Sequence, residues 1–359
     1  VSTSGTTGKS LGIYVNMYEI ILGLFGYLRT IRSYGLDWRK NKLSIIGDFA
    51  PHTAESGYVK RGLMPKSWFQ SSLKNIQWLD TNDPPEKVLS DLESFQPDFI
   101  GGYTGMLGHI SVLKNKGAKS TIQPKVIAST GALLDPKLKH YIERTFSTTV
   151  FEVYGATETG PIAYQKPGQN DYQIMSDFVL LEFHDDQGTH VSSKEPGRMI
   201  VTKLYSGGTP IIRYDALNDI VSPSFNQPEE SKIYPDKIER IYGRDTIRLY
   251  RNDGKILLGS SLTTIFSRLL YQLETSKIRE LKVVQNSLEQ IDVNYVVDEK
   301  LRNEGVSVDR ICDELKKGFE EVFGSSIVVR FTEVKQVSRD EPRILTKVDP
   351  DSISITGFA

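Results

Sequence analysis

The first regular pattern along the chain is a helical one. Asn16 with Glu19 three residues later resembles a capping box, and apolar residues then recur at helical spacing until Gly35. The apolar positions are Ile20, Ile21, Leu24, Phe25, Leu28 and Ile31. This pattern predicts a helix that begins after Asn16 and ends by Gly35.

Short apolar runs and helical patterns then alternate. The predicted strands are Leu43–Gly47, Phe99–Tyr103, 126–129 and 150–154, and the predicted helices are Pro85–Phe95, a segment ending near Gly117, and Pro136–Phe146. Such alternation is typical of βαβ units and predicts a largely parallel sheet. Over about 172–221 the pattern changes to short strands separated by glycine and proline turns, which predicts a β-rich subdomain.

A third pattern follows Gly243-Arg244-Asp245. It predicts a helix at 260–273, strands at 281–284 and 291–297, a helix at Val308–Phe323 and a strand at 327–331. We therefore expect an α/β protein with a large domain, residues 1–244, that combines mainly parallel sheets with the β-rich subdomain. A small α+β domain, residues 245–359, is expected to follow.

Composition narrows the classes of partner. The 359 residues include 44 basic and 45 acidic side chains, a net charge of −1, which does not favour nucleic acid or an anionic membrane. The single cysteine, Cys312, excludes an intramolecular disulfide framework and is typical of a reducing cytoplasm. The longest apolar stretch is too short for a membrane helix, and no signal peptide is recognisable. No methionine precedes the first motif, so we expect a missing N-terminal segment.

The opening run Thr3-Ser4-Gly5-Thr6-Thr7-Gly8-Lys9-Ser10 has the composition of a phosphate-binding loop. Its glycines allow backbone N–H groups to approach an anion, while the hydroxyls and the lysine add donors and charge. As a P-loop of NTPases it lacks the first glycine, because Thr3 stands there, although Leu43–Gly47 with Asp48 could supply the acidic strand. A Ser/Thr/Gly linker is a further interpretation.

Two strand ends carry the next candidate residues. Tyr154-Gly155-Ala156-Thr157-Glu158 provides a ring that can stack on a base, a hydroxyl that can bind a phosphate, and a carboxylate that can hold Mg²⁺. Ser129-Thr130-Gly131-Ala132 ends another predicted strand, where ligands of open α/β sheets bind. Alone, each of these segments is also explained as an ordinary turn.

Three further motifs lie downstream. Pro210-Ile211-Ile212-Arg213-Tyr214 leads to Asp219, whose carboxylate suits a ribose diol, with Asp215 as the alternative. The second motif is Gly243-Arg244-Asp245. The third is the run from Pro342 and Arg343 to Lys347. A lysine is suited to bridging a carboxylate and a phosphate, although charged residues near a chain end are usually solvated.

In order and spacing these motifs resemble those of the adenylate-forming superfamily, the acyl-CoA synthetases and peptide-synthetase adenylation domains, and most closely the phenylacetate-CoA ligase-like branch. The resemblance spans essentially the whole chain. It implies that ATP, held with Mg²⁺, activates a small carboxylic acid as acyl-AMP with release of pyrophosphate, and that the acyl group then passes to CoA. Aromatic acids are among the candidate substrates. It also implies that the C-terminal domain is a mobile lid.

The resemblance assigns a role to each motif. Ser4, Gly5, Thr6, Thr7, Gly8 and Lys9 would bind phosphates; Gly131, Ala132, Tyr154 and Gly155 would bind adenine; Asp219 and Arg244 would bind ribose; Thr157 and Glu158 would hold the α-phosphate and magnesium; Lys347 would act in adenylation and Asp245 as the hinge. A protein of this fold that binds nucleotide or acyl-adenylate without turnover, and a P-loop NTPase, remain the alternatives. The acid and the oligomeric state are not specified by these motifs.

Overall fold

The computed structural model describes residues 12–50, 53, 56, 74–117, 120–225, 235–337 and 342–359. The chain divides into two compact units. One extends to Ile241, and the other comprises Tyr242–Ala359 together with Asp135–Leu138. Within the described residues, no helix is both long and apolar enough to cross a membrane. The phosphate-loop candidates Ser4, Gly5, Thr6, Thr7, Gly8 and Lys9 lie outside the described part of the chain.

Helices and strands alternate in the first half of the N-terminal unit. The elements are α1 (Met17–Ser33), β1 (Leu43–Gly47), β2 (Ile76–Asp80), α2 (Pro85–Phe95), β3 (Phe99–Tyr103), α3 (Thr104–Asn115), β4 (Val126–Thr130), α4 (Pro136–Phe146) and β5 (Thr149–Ala156). Strand β2 was not predicted from the sequence, whereas the other elements were. Strands β2, β1, β3, β4 and β5 pair in parallel in that order.

The strands that follow are antiparallel. They are β6 (Gly160–Gln165), β7 (Tyr172–Ile174), β8 (Val179–His184), β9 (Gly197–Lys203), β10 (Asp219–Ser224) and β11 (Lys237–Arg244), and the last three residues of β11 belong to the C-terminal unit. In the described residues these strands continue the parallel ones as a single sheet of 11 strands, ordered β2-β1-β3-β4-β5-β6-β7-β11-β10-β9-β8. The predicted β-rich region therefore begins earlier than expected, at β6. The α/β fold class is confirmed.

The start of α1 follows the predicted cap only in part. The Asn16 side chain accepts a hydrogen bond from the Glu19 backbone N–H, as an N-cap residue does. In a complete capping box the Glu19 carboxylate would bind the N-cap backbone N–H in return. Instead, Glu19 is buried and binds a loop far along the chain. The Glu19 carboxylate therefore makes a long-range tertiary contact and does not complete the capping box.

The C-terminal unit has a core of its own. Its elements are β12 (Arg248–Tyr250), β13 (Lys255–Leu258), α5 (Leu262–Phe266), α6 (Arg268–Tyr271), β14 (Ile278–Ser287), β15 (Gln290–Val297), α7 (Val308–Phe323), β16 (Val328–Glu333), β17 (Ile344–Thr346) and β18 (Gly357–Phe358). Among the described residues, β12, β13 and β18 form one sheet, and β16, β15, β14 and β17 form another.

The prediction of a single helix over 260–273 is wrong. The segment consists of a 3₁₀ turn at Gly259–Ser261 followed by the two short helices α5 and α6. The run is rich in serine and threonine, whose hydroxyls compete for backbone groups. At the junction the Ser267 hydroxyl donates to the Thr264 carbonyl oxygen at 3.3 Å.

Candidate active site

Three parallel strands bring candidate residues to one edge of the large sheet. Tyr103, at the end of β3, lies opposite Thr130 of β4, and Ser129 lies opposite Glu152 of β5. Because the carboxyl ends of parallel strands meet at the same edge, the turn containing Gly131 and the end of β5 are neighbours.

The turn that contains Gly131 is held by the hydroxyl of Thr104, the first residue of α3. The Thr104 hydroxyl lies 2.8 Å from the Ser129 hydroxyl and donates to the Ala132 carbonyl oxygen at 3.0 Å. Gly131 has φ +82°, and a Cβ added there would lie 2.2 Å from Cδ1 of Tyr103. The turn therefore requires glycine for its backbone conformation and for its contact with the Tyr103 ring.

The segment from Tyr154 to Glu158 forms the end of β5 and the turn into β6. A register shift lies between Tyr154 and Gly155, and a Cβ on Gly155 would approach the Gly160 carbonyl oxygen to 2.8 Å. Thr157 is half-buried in the turn and Glu158 is 8% exposed. The turn is anchored by Tyr205, whose hydroxyl donates to the Thr159 carbonyl oxygen at 2.9 Å. Tyr205 carried no signal in the sequence.

Glu158 is the carboxylate of this turn. Within the described residues, no hydrogen bond or ion pair to its side chain is observed. A carboxylate oxygen is the kind of ligand that Mg²⁺ prefers. The residue therefore fits a site that is completed by a metal and phosphate oxygens.

Asp219 meets Tyr154 directly, although 65 residues separate them in sequence. The Tyr154 hydroxyl donates a hydrogen bond to Oδ2 of Asp219. Asp219 is the first residue of β10 and is buried. Asn218 immediately before it has φ +53°, so the chain turns sharply into the strand. The structure thus brings together the aromatic residue of one motif and the acid of another.

Asp215, the alternative ribose ligand, lies in a different environment. Its Oδ1 is 3.3 Å from Nε of Arg198, and its side chain is 47% exposed. The preceding residues run beside β9: the Lys203 N–H donates to the Ile211 carbonyl oxygen at 2.9 Å, and Tyr214 bridges to Val201. The Asp215 carboxylate is therefore paired with Arg198 at the surface, whereas the Asp219 carboxylate binds Tyr154.

A buried ion pair supports this region and was missed by the sequence analysis. Glu19 and Lys203 have side chains only 2% exposed, and their charged atoms lie 3.5 Å apart. Glu19 also accepts hydrogen bonds from the backbone N–H groups of Gly207 and Gly208. Burial acts to raise the pKa of Glu19, but these N–H groups and the Lys203 charge outweigh it and lower the pKa.

The loop at 206–209 also binds the chain that precedes α1. The Thr209 N–H donates to the Tyr14 carbonyl oxygen at 2.8 Å, and the Tyr14 N–H donates to the Thr209 hydroxyl at 2.9 Å. A Cβ on Gly208 would lie 2.1 Å from the Tyr14 oxygen, so only glycine permits this approach. Residues 12–16 and the segment leading to Asp219 are thereby joined.

The remaining candidates lie in the C-terminal unit. Arg244 is exposed at the end of β11, and Asp245 begins the turn to β12. The Asp245 carboxylate binds the Arg248 guanidinium through both oxygens. Lys347 is exposed just after β17, and its Nζ donates to Oδ1 of Asn286 at 2.9 Å.

A buried glutamine positions the strand that precedes Lys347. Gln285 on β14 is fully buried; its Nε2 donates to the Tyr250 carbonyl oxygen at 2.7 Å and its Oε1 accepts from the Tyr250 N–H at 3.0 Å. The Thr346 hydroxyl also donates to Oε1 at 3.3 Å, and the Lys347 N–H donates to the Gln285 carbonyl oxygen. Neither Gln285 nor Asn286 carried a motif signal.

Solved structures of several ligases share this fold. 2-Hydroxyisobutyryl-CoA ligase, in its postadenylation state in complex with R3-HIB-AMP, superposes with a TM-score of 0.68 at 15% identity, over 96% of this chain and 73% of that one. Anthranilate CoA ligase AuaEII with anthranoyl-AMP gives 0.64 at 14% identity, over 94% and 63%. The chain has the fold of the adenylate-forming CoA ligases.

One further solved structure and one curated protein are also similar to this chain. O-succinylbenzoate coenzyme A synthetase from Bacillus subtilis, in complex with AMP, gives a TM-score of 0.59 at 15% identity, over 94% of this chain and 66% of that one. Protein CapK of Staphylococcus aureus is 22% identical over 342 residues, which span 94% of this chain and 71% of CapK. No family model matches the sequence.

Proposed function

We propose that this protein is an AMP-forming acid–thiol ligase that activates a small carboxylic acid as its acyl-AMP. The observation that carries the proposal is the contact between Tyr154 and Asp219 beside the Gly131 turn, because it joins an adenine-stacking candidate and a ribose-binding candidate. The ligase fold of the chain supports the same conclusion.

In the first step, a carboxylate oxygen of the acid attacks the α-phosphorus of ATP, and the bond to the pyrophosphate oxygen breaks. Tyr154 would stack on adenine next to the Gly131 turn, and Asp219 would accept hydrogen bonds from the ribose hydroxyls. The Thr157 hydroxyl would donate to an α-phosphate oxygen, and Glu158 would hold Mg²⁺. When bound, this ion offsets the negative charge of the phosphates.

We assign further roles to residues of the opening loop and of the C-terminal unit. Ser4, Thr6, Thr7 and Lys9 would bind the β- and γ-phosphates, with Gly5 and Gly8 permitting the close approach. Arg244 would bind the ribose or a phosphate. The Lys347 ammonium would bridge the substrate carboxylate and the α-phosphate and offset the charge of the transition state. Catalysis would rest on positioning and charge stabilisation.

In the second step, a thiol sulfur attacks the acyl carbon and AMP leaves. We propose CoA as the thiol, in accordance with the names of the ligases that share the fold. We propose a small acid because the ligases that share the fold are named for 2-hydroxyisobutyrate, anthranilate and O-succinylbenzoate. Asp245 would be the pivot of the C-terminal unit between the two steps.

Carboxylate-dependent exchange of pyrophosphate into ATP tests the proposal. A screen of small aliphatic and aromatic acids should find at least one that supports exchange in the presence of Mg²⁺. Nucleotide hydrolysis without any acid would favour an NTPase instead. Binding of ATP or of acyl-AMP without exchange, for every acid tried, would favour a binding protein of this fold.

Site variants make the test specific. Glu158→Gln and Asp219→Ala should each lower exchange at least about tenfold, which corresponds to about 1.4 kcal/mol of transition-state stabilisation. Asp215→Ala is the matched control and should retain most of the exchange rate, because its carboxylate pairs with Arg198. An Asp219→Ala variant that folds and exchanges at the wild-type rate would contradict the ribose assignment.

A further inference from the structure

Two histidines and a glutamate converge at the end of β8, and none of the three belongs to a motif described above. Glu182 and His184 are two residues apart on the strand, so their side chains lie on the same face. His190 returns beside them after the turn at 185–189 and forms an isolated bridge with His184. One potential ligand atom from each of the three side chains lies within 4.8 Å of the other two.

His184 is the buried member of this cluster. Its side chain is 10% exposed, and its Nδ1 lies 2.9 Å from the Gly188 carbonyl oxygen. Because a carbonyl oxygen only accepts, Nδ1 carries the hydrogen, and in the neutral ring Nε2 then presents the lone pair that a metal binds. This Nε2 is buried and has no hydrogen-bond partner among the residues that the structure describes. A histidine that binds a metal usually donates its other ring N–H to a carbonyl or carboxylate in this way.

Glu182 presents one carboxylate oxygen to His184. Its Oε1 lies 3.7 Å from Nε2 of His184, whereas its Oε2 accepts a hydrogen bond from Nε of Arg213 at 3.1 Å. Arg213 therefore fixes the orientation of the carboxylate while Oε1 faces the histidine. Arg198, opposite His184 on β9, pairs with Asp215 instead.

His190 is the third potential ligand of the cluster, and its side chain is free to move because it is exposed. Its ring centroid lies 4.3 Å from that of His184, with a tilt of 56° between the planes. Ligand atoms of a tetrahedral Zn²⁺ site lie about 2.0–2.2 Å from the metal, so the three donors must approach by roughly 1 Å. Since His190 is exposed, rotation of its side chain can supply this movement.

We propose that Glu182, His184 and His190 form a binding site for a divalent transition-metal cation, with Zn²⁺ as the preferred ion. Two imidazole nitrogens and one carboxylate oxygen form a donor set suited to Zn²⁺, with a water molecule in the fourth position. The bound ion ties the 185–190 turn to β8. Through Glu182 and Arg213 it also supports the segment that leads to Asp219. Metal binding here does not depend on the proposed ligase activity.

Titration of tag-free, full-length, metal-stripped protein with Zn²⁺ alone tests the proposal. Calorimetry should give one Zn²⁺ per chain, and Zn²⁺ should raise the melting temperature because it binds only the folded state. Co²⁺ should give the visible absorption bands of a low-symmetry site. Failure of the wild-type protein to bind Zn²⁺ would overturn the proposal.

Variants separate this site from surface histidines. His190→Ala should weaken Zn²⁺ binding by about a hundredfold and abolish the Co²⁺ bands, and because His190 is exposed the protein should still fold. Glu182→Gln should also weaken binding. His140→Ala is the control, since His140 is exposed on α4 and outside the cluster. A loss below about tenfold in His190→Ala, or an equal loss in His140→Ala, would overturn the assignment.

Discussion

At the scale of single residues, the buried Glu19–Lys203 ion pair is a contact that the sequence motifs did not predict. It joins the first turn of α1 to the end of β9, and Glu19 also holds the loop at 206–209. Removing one partner of a buried ion pair leaves the other charge uncompensated, which is much less favourable than replacing both. This asymmetry allows the pair to be tested.

Glu19→Gln should lower the free energy of unfolding by about 3 kcal/mol at neutral pH, measured by urea denaturation. The glutamine oxygen can still accept from Gly207 and Gly208, so the loss reports mainly the unpaired Lys203. Adding Lys203→Met to this variant should restore part of the stability. Glu289→Gln, at an exposed turn, is the control and should change stability by less than about 0.5 kcal/mol.

The same pair predicts a dependence on pH. The folded-state pKa of Glu19 lies below its unfolded value, so its stabilisation is complete above the unfolded pKa, about 4.3, and is lost as the pH falls through the folded pKa. The stability difference between the wild type and Glu19→Gln should therefore shrink below about pH 4. A difference that stays constant from pH 7 to the acid limit of folding would contradict this account.

At the scale of elements, the turn after β4 depends on a glycine. Gly131→Ala should lower the free energy of unfolding by about 1–3 kcal/mol, because alanine disfavours a positive φ and its Cβ would collide with Tyr103. The acid-dependent exchange rate should fall as well. Gly105→Ala is the matched control: a Cβ there meets nothing within 4 Å at the exposed start of α3, and stability should be unchanged or higher.

The strands that carry Lys347 depend on Gln285. Gln285→Met should lower the free energy of unfolding by at least about 2 kcal/mol, because methionine fills a similar volume but leaves the buried N–H and C=O of Tyr250 without these partners. The exposed Gln272→Met should have little effect. Equal stability of the two variants, compared by chemical denaturation, would show that Gln285 does not organise the sheet.

At the scale of the whole molecule, the chain is built as two units, each with a hydrophobic core. Lys347 belongs to the unit that follows Tyr242, whereas Tyr154, Glu158 and Asp219 belong to the other. We propose that Lys347 serves only the adenylation step. The two half-reactions should therefore respond differently to changes in the C-terminal unit.

Lys347→Ala should abolish acyl-AMP formation yet spare thioester formation from supplied acyl-AMP. Asp245→Pro, which restricts φ at the proposed pivot, should spare only one half-reaction. Because Asp245 also binds Arg248, Asp245→Ala is needed as a control that removes the ion pair without restricting the backbone. Adenylation at the wild-type rate in Lys347→Ala would show that this lysine is a solvated bystander.

Local patterns in the sequence determined the position of many helices and strands. Helical spacing predicted α1, proline predicted the start of α2, and α7 and β1 have the predicted bounds. Hydrophobic periodicity and capping depend on residues a few positions apart, so they can be read along the chain. The order of the motifs predicted a fold that the solved ligase structures confirm.

Only the tertiary structure decided which distant residues meet. The strand order, with β11 between β7 and β10, cannot be read from periodicity. Asp219 therefore accepts a hydrogen bond from Tyr154, which lies 65 residues earlier in the chain. Glu19 pairs with Lys203 and does not bind the N-cap backbone as the capping box predicted. Likewise, Nε2 of His184 faces Glu182 because the Gly188 carbonyl oxygen accepts a hydrogen bond from Nδ1. Such contacts depend on strand pairing and burial, which no local pattern encodes.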